Sequence, residues 1–400
     1  MTPSLTLFDV ASDVILTSPA SDVNPDPPRA RDALIRSRQL TERPGSGSAS
    51  GNPRTLGGEC PEGEPMQLLV IGGTAFVGRA AVAEAVARGH QVTLFHRGEH
   101  EPEGMAAARH VHGDRDGDLG ELGDTIFDAV FDTCGYVPRI VEASARRLVD
   151  RVGTYAFVST LSVHADDMPA GANEDTPTHA PPWPQTEEVT GETYGPLKAA
   201  CEEVVRATYG DRALVLRPGY IVGPHDPTER FVSWLRRLTA GGTVAVPGPP
   251  EEPFQVVDVR DLAGFTVDLL ELETRGTFGV VGPGQPLTTR RMCGTAIDVS
   301  GADTQLAWLD GADALEIGDE DGRYRLFPMW HPEYPGVNLY DASRAVAAGL
   351  RHRSFDETVA DTLAWDRARP QEQLPFGPTP EEEAELLAKA RGSAAPATER

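Results

Sequence analysis

The sequence predicts an α/β fold: a doubly wound parallel sheet covered by helices on both faces, followed by a smaller α/β C-terminal lobe. Three observations predict it. Short apolar runs (QLLVIGG, QVTLFHRG, FDAVFDTCG, TYAFVSTLS) alternate with stretches at helical spacing. These runs are continuously apolar rather than alternating, as strands buried on both faces are. The strict alternation then ends near residue 222, where shorter and more mixed elements begin.

From Met66, QLLVIGG is the first strand and RAAVAEAVARG the first helix, with Gly89 as its stop. QVTLFHRG is the second strand, HVHGDRDGD holds the end of a third, and FDAVFDTCG is the fourth, followed by the helix RIVEASARRLVDRVG. TYAFVSTLS is the fifth strand, YGPLKAACEEVVRATYG a helix, and ALVLRPGYIVGP the sixth strand. Beyond it come the helix RFVSWLRRLTAGG, the short strand TVAVPG, and a strand and helix in FQVVDVRDLAGFTVDLLEL. The expected organisation is a sheet domain over 66–222 to which 254–275 return, a lobe of 223–253 and 276–370, and a peripheral helical tail, 371–400. Residues 1–65 are rich in Pro, Ser, Gly and charge and are expected to be disordered, because they cannot bury enough apolar surface to offset ordering. Met66 directly precedes the first strand, and translation is expected to start there.

Composition narrows the function. The 400 residues carry a net charge of −25, so a phosphate backbone is repelled and no nucleic acid is expected as partner. No run reaches the length of a membrane span, and Asp9 and Asp13 interrupt the apolar stretch near the N-terminus. Cys60, Cys134, Cys201 and Cys293 form no CxxC pair, which suits a reducing compartment and no zinc site. A cytoplasmic protein without metal is expected. His110 and His112 alternate along a strand and are read as strand or surface residues.

The turn after the first strand, Gly72-Gly73-Thr74-Ala75-Phe76-Val77-Gly78, lets backbone approach a pyrophosphate while the following helix offers amide donors. Ala75 stands where a middle glycine is usual. The second strand ends in His96 and Arg97 without the acid that binds ribose hydroxyls, so NADP is favoured over NAD. Asp114, after the third strand, is placed to accept from the adenine amino group.

Only two of the 36 basic Lys and Arg residues are lysines, and one, Lys198, lies four residues after Tyr194. On a helix the two share a face. A free tyrosine has a pKa of about 10, which a neighbouring ammonium lowers. The same compact ammonium reaches ribose hydroxyls, which a planar guanidinium does less well. Ser159, Thr160 and Ser162 end the fifth strand and offer hydroxyls for a substrate oxygen.

With these motifs in chain order, Met66 to about Arg369 resembles the extended short-chain dehydrogenase/reductases, in particular an atypical branch of the NAD-dependent epimerase/dehydratase family. VIGGTAFVG resembles its glycine turn, HGDRDGD its adenine-contacting stretch, FVSTLSVH its Ser/Thr strand, YGPLK its Tyr/Lys motif, and LRPGYIVGP and FQVVDVRDLA its later strands. The resemblance implies an NAD(P)-binding Rossmann domain with a substrate-binding lobe, and often a homodimer through helices. It implies Tyr194 as acid/base, Lys198 as its partner and ribose ligand, and Thr160 at the catalytic hydroxyl position. His164 stands where the family carries tyrosine.

The expected activity is hydride transfer on a secondary alcohol or carbonyl, with a nucleotide sugar as a candidate substrate. Cys134, Gly135, Ser162, Gly219, Tyr220, His225, Trp234, Trp330 and His331 are candidates to face it. The other reading is a dinucleotide-binding regulator or RNA-binding protein of the same fold, without catalysis.

Overall fold

The computed structural model describes residues 65–99, 104–117, 119–165, 167–179, 186–317, 320–370 and 373–393. The expected N-terminal extension lies, but for Pro65, outside the described residues. The strands are β1 (Gln67–Ile71), β2 (Gln91–His96), β3 (Arg109–His112), β4 (Phe127–Asp132), β5 (Val152–Val158), β6 (Ala213–Pro218), β7 (Tyr220–Val222), β8 (Gly242–Pro247), β9 (Val256–Asp258), β10 (Gly276–Val280) and β11 (Thr304–Leu309). The main helices are α1 (Phe76–Ala87), α2 (Pro138–Leu148), α3 (Gly191–Tyr209), α4 (Arg230–Thr239), α5 (Val259–Glu271), α6 (Thr289–Ser300), α7 (Phe355–Arg367) and α8 (Pro380–Ser393).

Seven strands form one sheet of order β10-β6-β5-β4-β1-β2-β3, and every pairing in it is parallel. The apolar strands explain this. Leu68 and Val70 of β1 pack on one face with Ala81 and Val82 of α1 and Leu262 and Phe265 of α5. Leu69 and Ile71 pack on the other with Val141 of α2 and Cys201 and Val205 of α3. Successive strand side chains point to opposite faces, so a strand covered twice must be apolar throughout. The order reverses between β1 and β4, the place where open sheets of this kind bind ligands, outside the strands' carboxyl ends.

The lobe has its own core of Phe231, Trp234, Leu235, Val246, Met292 and Phe327, with β8 paired to β11 and β7 to β9. Three expectations change. The sixth apolar run is two strands, because Gly219 separates β6 from β7 and the latter pairs with β9. Residues 276–280, expected in the lobe, extend the main sheet beside β6, from Gly276↔Leu214 to Val280↔Pro218. The crossover through α5 returns the chain to the sheet edge, where an apolar strand finds a partner. Finally, α8 is no detached tail. Leu386 and Ala390 are buried in the lobe core, and Glu383 accepts from the Ala245 amide at 2.6 Å and from Arg237 at 2.9 Å.

Candidate active site

The glycine turn is built as a cradle. Gly72 and Gly73 have φ of 90° and 84°, where side chains are strained, and a Cβ on Gly73 would lie 2.5 Å from Leu94. A Cβ on Gly78 would lie 2.4 Å from the Gly73 Cα, so only glycine lets α1 start this close to the turn. No side chain caps α1 and its first turn holds no acid, which leaves amide donors for an anion. Thr74 and Ala75 form the outer edge of the turn, while Phe76 and Val77 are half-buried. These residues fit a dinucleotide pyrophosphate.

At the end of β2, Arg97 is exposed and paired with Glu99 at 3.0 Å, and Asp114 is exposed, its carboxylate accepting from the Asp116 amide at 3.0 Å. His96, His110 and His112 bring one nitrogen each to within 4.8 Å of one another. The His96 Nδ1 accepts from the Gly98 amide at 3.1 Å. Its Nε2 therefore carries the proton, which faces the His110 Nδ1 at 2.9 Å. His110 in turn donates through Nε2 to the Met105 carbonyl at 3.2 Å. The hydrogen bonds are those of neutral rings joined in series.

At the end of β4, the fully buried Asp132 takes two bonds from Arg115, at 2.6 and 2.8 Å, and one from the Tyr155 hydroxyl at 2.7 Å. Burial raises its pKa, but Arg115 outweighs burial and holds the carboxyl below its ordinary range. This pair fixes the turn at Cys134, whose amide donates to Asp132 at 3.2 Å. Burial pushes the Cys134 thiol up. Sequence reasoning missed Arg115 and Asp132, although an arginine inside HGDRDGD and an aspartate closing an apolar strand were both visible.

Of the three hydroxyls expected to cluster, Thr160 and Ser162 come together. Thr160 precedes a short turn, Leu161–Val163, and its hydroxyl accepts from the Ser162 amide at 3.2 Å and bonds the Ser162 hydroxyl at 2.8 Å. Helix α3, opened by a Thr190/Thr193 capping box, lies against this turn. Gly195 allows the approach, since a Cβ there would sit 2.2 Å from the Ser162 carbonyl oxygen. The phenol of the half-buried Tyr194 thereby stands beside the Thr160 hydroxyl, close enough to feel it. Ser159 faces elsewhere, donating to the buried Glu202 at 2.5 Å, which also clasps Arg217 at 2.9 and 2.7 Å.

Lys198 behaves differently from the expectation. Its ammonium is buried and donates to the Gly135 and Val158 carbonyls, each at 2.6 Å, and burial lowers its pKa. The Tyr194 pKa is not lowered. Burial raises it, opposed by the Thr160 hydroxyl and by the charge of Arg230. The physical reason is reach: the shared helix face places Lys198 beside Tyr194, but two nearer carbonyls take two of its three protons. Arg230, the first residue of α4, is a cation near Tyr194 that sequence reasoning missed, and no local spacing ties the two.

Among the lobe candidates, Trp330 donates to Glu252 at 2.8 Å and packs in the lobe core with Trp234, so both are structural there. His225 is exposed and its ring lies against Trp365 of α7. His164 donates through Nδ1 to the Pro177 carbonyl at 3.1 Å. A Cβ on Gly219 would meet Val281 at 2.9 Å and Leu161 at 3.4 Å, which sets β7 beside the Thr160 turn. Among the described residues Cys134, Cys201 and Cys293 are free thiols, and no helix is long and apolar enough to cross a membrane.

Comparison with known proteins agrees with this geometry. A family model described as NAD dependent epimerase/dehydratase family matches residues 123–280. A chloroplast stem-loop binding protein of 41 kDa b from Arabidopsis thaliana is 26% identical over 54% of this chain and 58% of that relative, so the chain spans under two thirds of its length. A dTDP-6-deoxy-L-talose 4-dehydrogenase (NAD(P)(+)) from Kitasatospora kifunensis is 29% identical over 63% of this chain and 85% of that protein. The fold is that of a UDP-N-acetylglucosamine 4-epimerase from Methanobrevibacter ruminantium, with TM-score 0.57 and 17% identity over 76% of this chain and 99% of the other. It is equally that of a Bordetella bronchiseptica enzyme solved with NAD and UDP, with TM-score 0.56 and 16% identity over 76% and 96%. Residues 123–280 thus match the NAD dependent epimerase/dehydratase family, and the seven-stranded parallel sheet has the fold of the solved relatives.

Proposed function

We propose that this protein is an oxidoreductase or epimerase that acts on a secondary alcohol or carbonyl, with a nucleotide sugar as the substrate class that its relatives favour. The observation that supports the reading is the close approach of α3, at Gly195, to the Thr160 turn, which sets the Tyr194 phenol beside the Thr160 and Ser162 hydroxyls. Because burial holds the phenol above its ordinary pKa, Tyr194 keeps its proton at neutral pH and enters the reaction as the acid. Thr160, fixed by Ser162, holds the substrate oxygen. Lys198 ties α3 to the ends of β4 and β5 and so sets where Tyr194 stands. Gly72, Gly73 and Gly78 would hold the pyrophosphate of a dinucleotide, which supplies the oxidising or reducing equivalent when bound.

NADP is the favoured dinucleotide, since Arg97 offers a cation and no acid ends β2. Residence in the cytoplasm and pairing as a homodimer belong to the same reading. The experiment is to identify the copurifying dinucleotide, screen nucleotide sugars and simple carbonyls by nicotinamide absorbance, and compare Tyr194→Phe. A fall of about 10²- to 10⁴-fold is expected; wild-type turnover by Tyr194→Phe overturns the reading.

A second reading, RNA binding, rests on the chloroplast relative, whose name describes stem-loop binding. The net charge of −25 opposes it. A gel-shift titration with a stem-loop RNA at 0.15 M salt separates the two.

A further inference from the structure

The outer edge of the main sheet gathers three imidazoles on one face. β3 is the last strand of that sheet, and its register sets His96 of β2 opposite His112, and Leu94 opposite His110. Side chains alternate between faces along a strand. His110 and His112 therefore share one face of β3 with His96 beside them, while Phe95 and Val111 pack into the core on the other. One nitrogen of each histidine lies within 4.8 Å of the other two. The His96 ring meets both neighbours edge-on, with centroids 5.1 Å from His110 and 4.9 Å from His112. The group runs from buried His96 through half-buried His110 to exposed His112, which gives a path in from solvent. His110 is already oriented as a ligand is. Its Nε2 donates to the Met105 carbonyl at 3.2 Å, so the Nδ1 lone pair faces the His96 Nε2 at 2.9 Å. A histidine that binds a metal ordinarily gives its other ring N–H to such an acceptor.

We infer that His96, His110 and His112 form a three-imidazole site for a divalent transition metal of the zinc type. The donor set decides the class: imidazoles suit Zn²⁺, Cu²⁺ or Ni²⁺, whereas Mg²⁺ and Ca²⁺ take oxygen ligands. Zn–N bonds of about 2.0–2.1 Å at tetrahedral angles hold the nitrogens about 3.3 Å apart. The His96–His110 pair, at 2.9 Å, opens slightly, and rotation of the exposed His112 ring brings in the third nitrogen. Three protein ligands leave the fourth position to water. The proton on the His96 Nε2 stands where the metal binds. It moves to Nδ1, which gives up the bond that it accepts from the Gly98 amide at 3.1 Å. No proton is lost, and His96 stays neutral. Gly98 directly follows Arg97, so metal entry shifts the loop that carries Arg97. Metal and dinucleotide then weaken each other's binding by the same factor. The site stands without the enzymatic reading above; only its coupling to the dinucleotide rests on it.

The test uses the full chain stripped of metal, with Zn²⁺ alone as the probe in calorimetry and Co²⁺ as its spectroscopic stand-in. One ion per chain and the visible absorption of tetrahedral Co²⁺ are expected. His110→Ala and His112→Ala should each weaken Zn²⁺ tenfold or more. His225→Ala, at an exposed histidine of the lobe, and Cys134→Ser should bind as the wild type does, which excludes capture by those side chains. His112→Ala changes an exposed side chain, so the metal-free variant should melt at the wild-type temperature and its loss of Zn²⁺ is read on folded protein. With Zn²⁺ saturating, NAD and NADP should bind several-fold more weakly to the wild type, and Zn²⁺ should make no difference in His112→Ala. No Zn²⁺ binding, or wild-type Zn²⁺ affinity in either β3 variant, overturns the site. Equal dinucleotide affinity with and without Zn²⁺ overturns the coupling. A protein that binds Zn²⁺ but no dinucleotide fails the enzymatic reading and keeps the site.

Discussion

The Lys198 ammonium donates to the Val158 carbonyl at 2.6 Å, two residues before Thr160, and so ties the helix that carries Tyr194 to the strand that carries its hydroxyl partner. The same ammonium reaches Gly135 at the end of β4. One lysine thus links three elements at the crevice. Lys198→Met leaves two carbonyls short of a donor, at about 1–3 kcal/mol each if they stay dry. A lower melting temperature and a dinucleotide affinity at least tenfold weaker are expected, by thermal shift and calorimetry. Lys198→Arg should recover the melting temperature more than the affinity, because the fork is bulkier than an ammonium.

Gly195 controls the approach of α3 to the Thr160 turn. Gly195→Ala places a methyl group 2.2 Å from the Ser162 carbonyl oxygen, so helix or turn must move. The expected cost is about 1–3 kcal/mol, with turnover falling further than stability because Tyr194 is moved away from the Thr160 turn. Urea unfolding alongside steady-state rates checks this; unchanged rates at reduced stability would count against the geometry.

Glu202 and Arg217 are 1% and 3% exposed. Glu202→Ala strands a buried guanidinium, at about 3–5 kcal/mol. Replacing both by leucine and methionine should regain most of that loss, since a buried pair is worth little against apolar groups of similar volume. Denaturant midpoints of the single and double variants decide it.

His331 predicts a pH dependence. Its folded pKa is pushed down to about 3, first by burial and then by Arg230 and Arg323, against an ordinary value of 6.5. The unfolded chain takes the proton first as pH falls. The contribution of the neutral ring is therefore whole above pH 6.5 and is lost progressively down to about pH 3. The slope is at most about 1.4 kcal/mol per pH unit for one proton. His331→Phe should flatten this part of the acid limb; parallel profiles for the two proteins would refute the assignment.

Arg97→Asp should reverse the dinucleotide preference. The added acid accepts from ribose hydroxyls and repels a 2′-phosphate. NADP affinity is expected to fall tenfold or more, about 1.4 kcal/mol, while NAD binding holds or improves. Calorimetry with both dinucleotides checks it, and an unchanged ratio would remove Arg97 from the site.

Much of the fold was legible because it is local. Continuous apolar runs can only be strands covered twice, and Gly72, Gly73 and Gly78 mark a turn that larger residues cannot adopt. The motif order also brought Thr160, Ser162, Tyr194 and Lys198 into one reading; the structure joins Thr160 to Ser162 and sets Tyr194 beside them, while the Lys198 ammonium turns to the Gly135 and Val158 carbonyls. What was not legible depended on competition between distant partners. The strand Gly276–Val280 has the same apolar pattern as a lobe strand, and only the free edge of β6 decided where it pairs. In α8, Leu386 and Ala390 are spaced among acids and read as solvent-facing until β8 covers them.

The sequence by itself determined the parallel sheet, the glycine turn and the helical spacing of Tyr194 and Lys198, because each follows from steric and periodic rules within a few neighbouring residues. Only the tertiary structure decided which cation faces the phenol. Lys198 is the neighbour in sequence, but the carbonyls of Gly135, beyond β4, and of Val158 on β5 capture it, and Arg230 arrives from the lobe. Electrostatic influence follows distance through the folded molecule, and that distance is set by packing rather than by position along the chain.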